Sequence, residues 1–543
     1  MDTSPPLPTK PNASPARRSR RGAGLARFAA LSVVLLLGGA AARAEVVLPS
    51  VISDGMVLQR GVSVPVWGWA DRGENINVEF AGQSKTAVAG SNGRWRIELD
   101  PLEASTEPRT MTVTGKNKVE VGDILVGEVW LAAGQSNMEW TFHQIAPEEQ
   151  ALAAAQKDNK LIRAFHVSRH LVAAEPMDDT TGRWKNAAQM IGQPGVSAVG
   201  FFFAVDLAAK LGVPVGLLDV NWGGKKIEAF LPPEGYKAIG VIPPPRGPRP
   251  MRLPHKLAEL RELRDSVDES IRGAEKGLAI GTVDGGPIFG QSENFIWNAM
   301  LSPVAPYALR GAIWYQGESN RGAQDYLAKL RGLSAGWSQA FNLPDIPILM
   351  VQIAPFDYSR GADPSSTLLG DTIWAAQYRA ADEVKGIDLV AIHDTGIDIK
   401  DIHPMHKRAV GERLSALAQK NQYGRDIAAS GPRFAAAKNE GDRVVVTFTG
   451  VDRGLETTDG QAPSWFELSA DGTDFFPAQG SLAGNTVVLT APGLPGVPAS
   501  VRMGWRDIAL PNLRDKNGWP VFAFPAQPVA PAAPAAPTAP AAP

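Results

Sequence analysis

The middle of the chain alternates between short apolar runs and stretches whose apolar residues recur with a helical period. Each apolar run ends in glycine or polar residues, which is typical of strands buried on both faces of a sheet. Because helical stretches separate these strands, the pattern predicts an α/β fold with helices on both faces of a parallel sheet. The apolar runs are residues 123–134, 213–224, 310–320, 345–355 and 386–394, and the helical stretches are residues 199–212, 371–384 and 407–421.

Both flanks of this region have a different pattern, in which short runs of β-branched and aromatic residues are separated by turn residues. This spacing is typical of small β-sandwiches. The sequence therefore predicts an N-terminal β-domain over residues 45–120, an α/β domain over 121–425 and a C-terminal β-sandwich over 426–525. An insertion over about 233–280 combines a proline-rich segment with a charged amphipathic helix, and it is either a lid or a surface excursion without a role.

The N-terminus has the organisation of an export signal. A basic segment, "RRSRRGAGLAR", precedes the apolar run "FAALSVVLLLGGAA", and small residues follow in "ARA". This order predicts a signal peptide over residues 1–44 and a mature protein that is periplasmic or secreted, without stable membrane insertion after cleavage. An uncleaved membrane anchor is the alternative. At the other end, residues 526–543 form a low-complexity Pro/Ala tail.

The composition mainly excludes certain kinds of site and gives no indication of others. The 543 residues include 54 Lys and Arg and 56 Asp and Glu, which gives a formal net charge of −2. Such a balance gives no indication of a nucleic-acid partner. The absence of cysteine excludes disulfides, thiolate nucleophiles and cysteine-ligated metal centres.

Polar residues at the carboxyl ends of the predicted strands are the candidates for chemistry, because ligands of open α/β sheets bind there. Ser136 follows the first strand, Gln316 follows the third, and His403 lies beyond the last. Acyl transfer requires a hydroxyl nucleophile, an imidazole base and hydrogen-bond donors for the oxyanion. These residues, together with the glycines of "NWGG", are of the required types.

Each of these signals is weak when it is taken alone. A serine after a strand is commonly a turn or cap residue, and "GQSNM" lacks the second glycine of the G-x-S-x-G turn. "DIKDIHPMH" could also be interpreted as a metal site, but Pro404 separates the two histidines and does not suit a pair on one helix face. The sequence therefore predicts no metal. The residues of that alternative site are Asp398, Asp401, His403 and His406.

Longer motifs carry a resemblance to a known family. They are "SDGMVLQR" and "VPVWGWA", then "GEVWLAAGQSNMEW" around Ser136, then "NWGGKKIEAF", "YALRGAIWYQGESN" and "DIHPMHKRAVGERL". In these motifs the chain resembles the bacterial sialate O-acetylesterase family of the SGNH-hydrolase superfamily, over nearly all of residues 45–525. The resemblance implies an SGNH-type three-layer α/β/α domain with a parallel sheet, flanked by N- and C-terminal sandwich-like β-domains.

The resemblance also implies roles for individual residues. Ser136 in "GQSNM" matches the nucleophile, and His403 in "DIHP" matches the general base. The oxyanion hole matches the Ser136 backbone N–H, the Gln316 amide and one glycine of "WGG", where we favour Gly223 over Gly224. The other polar residues at the strand ends are expected to contact the substrate; they are Gln135, Asn137, Trp222 and Glu318.

The carboxylate that orients the histidine is less evident. SGNH enzymes generally place an aspartate three residues before the histidine, and Lys400 stands at that position here. Asp401 lies two residues before His403, and Asp398 lies five before it. Asp401 is the preferred partner, and Asp398 is the alternative.

The resemblance implies hydrolysis of O-acetyl esters on sialic acid through an acyl-enzyme, without a cofactor. The carboxylate of sialic acid would require a cation near the site, for which Lys225 and Lys226 are candidates or else ordinary surface charges. Acetylated xylan or another polysaccharide is the alternative substrate. A second class of function is a carbohydrate-binding protein with a silent hydrolase domain.

Overall fold

The computed structural model describes residues 45–168, 173, 175–192, 195–242, 294–359 and 373–531. The predicted signal peptide over 1–44, most of the insertion over 233–280 and most of the tail over 526–543 lie outside these ranges. In the part of the chain that is described, no helix is long and apolar enough to cross a membrane.

The N-terminal region consists of short strands that lead into one long strand. In β5, whose sequence is "RWRIEL", exposed and buried positions alternate, so that one face packs on the core and the other faces solvent. The same alternation appears in β3. The strands are β1 (Val57–Gln59), β2 (Val64–Trp69), β3 (Asn75–Phe80), β4 (Gln83–Val88), β5 (Arg94–Leu99), β6 (Ser105–Thr114) and β7 (Lys118–Gly134).

The central region alternates strands with helices, as the hydrophobic pattern predicts. Its strands are β8 (Ile162–Val167), β9 (Gly182–Asn186), β10 (Val215–Asn221), β11 (Gly311–Tyr315), β12 (Ile348–Val351) and β13 (Ile387–Val390). Its helices are α1 (Ser136–Glu139), α2 (Pro147–Ala154), α3 (Ala187–Ile191), α4 (Ala198–Leu211), α5 (Pro233–Ala238), α6 (Tyr326–Ala340), α7 (Ile373–Glu383) and α8 (Arg408–Tyr423). Single turns of other helix types lie at Phe142–Gln144, Ile227–Phe230, Trp297–Leu301 and Glu318–Asn320.

The central sheet has the order β13-β12-β11-β7-β10-β8-β9. All neighbours along this path are parallel except β9, which pairs antiparallel with β8 at the edge. The expectation of a parallel sheet is therefore wrong at this edge, and the sheet is mixed. β9 is a short edge strand of sequence "GRWKN", so no apolar run marks it in the sequence.

The strand β7 belongs to both regions. Its first half pairs antiparallel with β6, and its second half lies between β10 and β11. The predicted domain boundary at residues 120 and 121 thus falls inside one continuous strand. Buried residues of the N-terminal strands, such as Trp95 and Ile97, also share one hydrophobic core with Trp130 of the central sheet.

The C-terminal region is a set of antiparallel strands with a separate core, which includes Val446, Phe466, Val487 and Met503. Its last strand extends to Pro528, past the predicted start of the tail at residue 526. The strands are β14 (Arg433–Glu440), β15 (Arg443–Thr449), β16 (Leu455–Thr457), β17 (Phe466–Ser469), β18 (Phe476–Pro477), β19 (Gln479–Ala483), β20 (Thr486–Thr490), β21 (Ser500–Met503), β22 (Leu513–Asp515) and β23 (Phe524–Pro528).

Candidate active site

Ser136 is the first residue of α1, directly after the carboxyl end of β7. The turn between them depends on Gly134, whose φ is +152°. A side chain at this position would overlap the carbonyl oxygen of Tyr315 on the neighbouring β11. Glycine therefore allows the chain to leave the sheet abruptly, so that Ser136 is half-buried at the strand end rather than enclosed in the core.

The structure brings Ser136 together with His403, which is 267 residues away in the chain. Ser136 Oγ lies 2.9 Å from His403 Nε2, within hydrogen-bond reach. This is the distance that a general base needs to accept the proton of a serine hydroxyl. We refer to Ser136 and His403 as the reacting pair.

The opposite nitrogen of His403 has no hydrogen-bonded carboxylate among the described residues. Asp401 Oδ1 lies 3.9 Å from His403 Nδ1, and it accepts the backbone N–H of His403 at 2.8 Å instead. Asp398 is exposed, and its carboxylate accepts the backbone N–H of Lys400. The role of Asp401 as the orienting acid stays a prediction, and neither aspartate bonds the imidazole in this conformation.

An aromatic ring packs on the histidine. Trp140 and His403 are stacked, with ring centroids 4.7 Å apart and planes inclined by 24°. The sequence analysis did not assign Trp140 to the site, although it stands in the same "GQSNMEW" motif as the serine. Stacking is a contact between side-chain faces, and nothing in the spacing of the motif indicates where those faces point.

Two backbone N–H groups at the start of α1 are available for an oxyanion. Within the described ranges, neither Ser136 N–H nor Asn137 N–H has a hydrogen-bond partner. The Gly223 N–H, in contrast, donates to the carboxylate of Glu139, a residue that the sequence analysis also did not assign to the site. Gly223 can therefore donate to an oxyanion only if Glu139 moves away, whereas Gly224 is exposed, with a φ of +68°.

The Gln316 side chain is fully buried and makes its hydrogen bonds within the protein. Its amide nitrogen lies 2.8 Å from Asn320 Oδ1, 3.0 Å from Gln135 Oε1 and 3.2 Å from the Lys225 carbonyl oxygen. An amide carries two N–H groups, so these acceptors already use both. The oxyanion role of Gln316 stays a prediction that requires one of these bonds to be exchanged.

Asn137, the residue after Ser136, connects three strand ends. Its amide nitrogen donates to Glu318 Oε1 at 2.6 Å and to the Ile402 carbonyl at 3.0 Å, next to His403. Its amide oxygen accepts from Lys407 Nζ at 2.6 Å. We refer to Asn137, Glu318 and Lys407 as the buried network, since all three are buried.

Lys407 is fully buried, which is rare for lysine. Burial lowers its pKa to about 7, although the carboxylates of Glu318, Asp401 and Glu149 act in the opposite direction. Burial raises the pKa of the Glu318 carboxyl, and its Oε2 atom has no hydrogen-bond partner in the described part of the chain. The sequence analysis missed Lys407, because a lysine at the start of a helix is ordinarily solvated.

The pKa of His403 is lowered from its ordinary value. Burial is the main cause, the charge of Lys407 adds to it, and Asp401 opposes both. The imidazole is therefore neutral at a pH near 7. A neutral imidazole is the form that can accept a proton from Ser136.

Three of the four residues expected to contact a substrate are bonded within the protein instead. Gln135 accepts from Gln316 and from two backbone N–H groups of the Gly317–Ser319 turn, while Asn137 and Glu318 bond each other. A position at a strand end indicates proximity to the site but not the direction of the side chain. Trp222 differs, since it is only half-buried and packs edge-to-face on Phe295 with ring centroids 5.4 Å apart.

The alternative metal site does not form among the described residues. No group of three or more His, Asp or Glu side chains is arranged there to hold a metal ion. His406 Nδ1 lies instead 3.6 Å from a carboxylate oxygen of Glu148 and of Glu149.

Comparison with known proteins identifies the family. Residues 282–418 match the family described as "Carbohydrate esterase, sialic acid-specific acetylesterase". The crystal structure of a carbohydrate acetylesterase from Xanthomonas citri is similar over 88% of this chain and 99% of that one, with 30% identity and a TM-score of 0.73. The chain belongs to the carbohydrate acetylesterase family.

Mammalian members of the sialate O-acetylesterase family match over a smaller share of their length. The rat sialate O-acetylesterase is 32% identical over 317 residues, which are 54% of this chain and 56% of the rat protein. The mouse sialate O-acetylesterase is 28% identical over 424 residues, which are 70% of this chain and 75% of the mouse protein. The chain thus spans between about half and three quarters of these relatives.

Proposed function

We propose that this protein is a carbohydrate esterase that hydrolyses O-acetyl groups on sialic acid, with Ser136 as nucleophile and His403 as general base. The observation that carries the proposal is the 2.9 Å contact between Ser136 Oγ and a neutral His403 imidazole at the edge of the sheet. The match of residues 282–418 to the sialic acid-specific acetylesterases supports the acetyl ester as the substrate class. The proposal includes an SGNH-type three-layer arrangement of the central region.

The proposed mechanism has two half-reactions. His403 Nε2 accepts the proton of Ser136 while Oγ attacks the acetyl carbonyl, and the Ser136 and Asn137 N–H groups stabilise the oxyanion. The imidazolium then protonates the departing sugar oxygen, which leaves an acetyl group on Ser136. Water, activated by His403, hydrolyses this ester and restores the serine. Asp401 contributes negative charge near Nδ1 without a hydrogen bond.

The sugar would be held by groups at the neighbouring strand end. The half-buried Trp222 offers an aromatic edge, and Lys225 Nζ lies 5.6 Å from the centroid of its ring. A cation beside an aromatic surface suits a sugar acid, because the ammonium can pair with the carboxylate while the ring contacts apolar sugar carbons. This arrangement favours sialic acid over neutral acetylated xylan. As an exported enzyme, the protein would meet such glycans in a periplasm or outside the cell.

Acetate release tests the proposal. Purified protein is given O-acetylated sialic acid, acetylated xylan and an aryl acetate in parallel, and Ser136→Ala serves as the blank. We expect release from all acetyl esters to depend on Ser136, with the highest kcat/KM on the sialic acid ester. A clear preference for xylan would contradict the sialate assignment alone. Inactivity on every ester, combined with binding of glycans, would make the protein a carbohydrate-binding protein instead.

A further inference from the structure

Among the described residues, no carboxylate hydrogen-bonds Nδ1 of the histidine in the reacting pair. In a Ser–His–Asp triad, a carboxylate accepts the Nδ1 proton and holds the imidazole in place. Here Asp401 Oδ1 is 3.9 Å from Nδ1, and half of the Asp401 side chain is exposed. A reacting group that is misplaced by about 1 Å can lose a factor of about 10² in rate, so some other contact must hold the ring.

Trp140 is rigidly joined to the nucleophile. Its backbone N–H donates to the Ser136 carbonyl at 2.9 Å, and its own carbonyl accepts from the Ala198 N–H at the start of α4 at 2.8 Å. The indole is therefore anchored to the same turn that carries the serine. Because the indole stacks on His403, it fixes the orientation of the imidazole plane relative to Ser136.

Lys407 contacts both Trp140 and Asn137. Its ammonium lies 5.2 Å from the centroid of the Trp140 ring and bonds Asn137, the neighbour of Ser136. Its backbone N–H donates to Glu149 Oε2 at 2.8 Å, which fixes the residue before α8, four residues after His403. A buried ammonium close to an aromatic face is attracted by the ring, and this attraction is stronger when the cation is desolvated.

We propose that Trp140 and Lys407 are positioning residues that hold the His403 imidazole towards Ser136, a task that a hydrogen-bonded carboxylate performs in a triad. Trp140 acts through the stacked ring, and Lys407 acts by fixing Trp140 and Asn137. This inference rests on the proposed esterase function of the reacting pair.

The arrangement has an electrostatic consequence that a carboxylate would not produce. A carboxylate raises the pKa of its histidine, whereas the positive charge of Lys407 lowers that of His403. His403 should therefore stay neutral, and the enzyme active, at a lower pH than with an acid partner. The charged groups that face the reacting pair and Lys407 are Asp401, Glu318, Glu149 and, beside Gly223, Glu139.

Kinetics of four variants on an aryl acetate test the positioning roles. We expect Trp140→Leu to lower kcat by about 10² with little change in KM, because the substrate still binds while the base is misaligned. Trp140→Phe keeps an aromatic face and should recover most of the loss. Lys407→Met should move the acidic limb of the kcat/KM profile to higher pH, and Lys407→Arg should not.

A second measurement reports on His403 whether or not the protein is an esterase. The imidazole signals of labelled histidine are titrated by NMR, and His403→Gln identifies the signal among the seven histidines. Lys407→Met should raise the pKa of His403, and Lys407→Arg should leave it low. An unchanged pKa in Lys407→Met, or a kcat of Trp140→Leu equal to the wild type, would overturn the inference. Inactivity of the wild type would defeat only the proposed function, since the titration remains measurable.

Discussion

The reacting pair and the buried network lie next to each other, yet they are built in opposite ways. Ser136 and His403 are half-buried, and among the described residues one hydrogen bond and one ring contact hold their side chains. Asn137, Glu318 and Lys407 are buried, and hydrogen bonds of 2.6 Å join Asn137 to each of the other two. Groups that react must be accessible and able to exchange protons, whereas groups that position them must not move. We therefore expect changes in the pair to affect turnover alone, and changes in the network to affect both turnover and stability.

The largest effect is expected from Ser136→Ala. Loss of the nucleophile in serine hydrolases lowers kcat by about 10⁶, since only binding and oxyanion stabilisation remain. The side chain is partly exposed and, among the described residues, hydrogen-bonds only His403, so the melting temperature should stay close to that of the wild type. Aryl acetate kinetics and thermal unfolding check both points. A large drop in melting temperature would show that the reacting pair also stabilises the fold.

Asn137→Ala should remove the hydrogen bonds that join Glu318 and Lys407 to Asn137 in the buried network. The substitution leaves the buried Lys407 ammonium and the Glu318 carboxyl without their shared partner. Leaving a buried polar group without its hydrogen-bond partner costs about 1–3 kcal/mol of unfolding free energy, and more where the group is charged. Activity should fall as well, because the Ile402 carbonyl beside His403 loses its donor. Denaturant unfolding measures the loss of unfolding free energy in Asn137→Ala. Asn137→Asp, a variant of matched size, is measured alongside it.

The pH dependence of stability should reveal Lys407. Its pKa is about 7 in the folded protein and near 10.5 when unfolded. Between these values the unfolded chain binds more protons than the folded one, so the unfolding free energy rises as the pH increases from about 7 towards 10. The rise should amount to a few kcal/mol at most, and Lys407→Met should lack it. Denaturant midpoints of both proteins at pH 7 and pH 9.5 give the comparison.

The smallest effect is expected from Asp401→Ala. With no hydrogen bond to Nδ1, this carboxylate should contribute less than about tenfold to kcat, in contrast to the factor of about 10⁴ in a hydrogen-bonded triad. Asp398→Ala is the matched control, since Asp398 is equally exposed and bonds only a backbone N–H. A loss near 10⁴ in Asp401→Ala alone would restore Asp401 as the orienting acid and remove the need for Trp140.

The strand ends of the sequence made Ser136 and His403 candidates, and the resemblance of the longer motifs implied their roles. Buried parallel strands have distinctive apolar runs, and the carboxyl ends of such strands meet at one edge, so Ser136 and His403 could be brought together without coordinates. The mixed edge at β9 and the continuity of β7 could not be found in this way. Apolar periodicity identifies strands but says little about which of them pair.

The buried network was beyond the reach of the sequence for a related reason. Composition statistics treat lysine as a surface residue, and Lys407 is an exception that depends on contacts from Asn137 and the Trp140 ring. Gln135, Glu318 and Gln316 were assigned to the substrate or the oxyanion because of their position. Their side chains are buried and bonded within the protein, and side-chain direction follows from packing across elements that are distant in the chain.

The continuity of β7 limits how this protein can be divided. A fragment starting at residue 121 would begin inside β7, and it would expose apolar residues that the N-terminal strands cover. The N-terminal strands thus fold together with the central region and are not an accessory module. The C-terminal strands have a core of their own, but Trp505 and Phe522 belong to the core of the central region, so a cut between these two regions would also expose apolar residues.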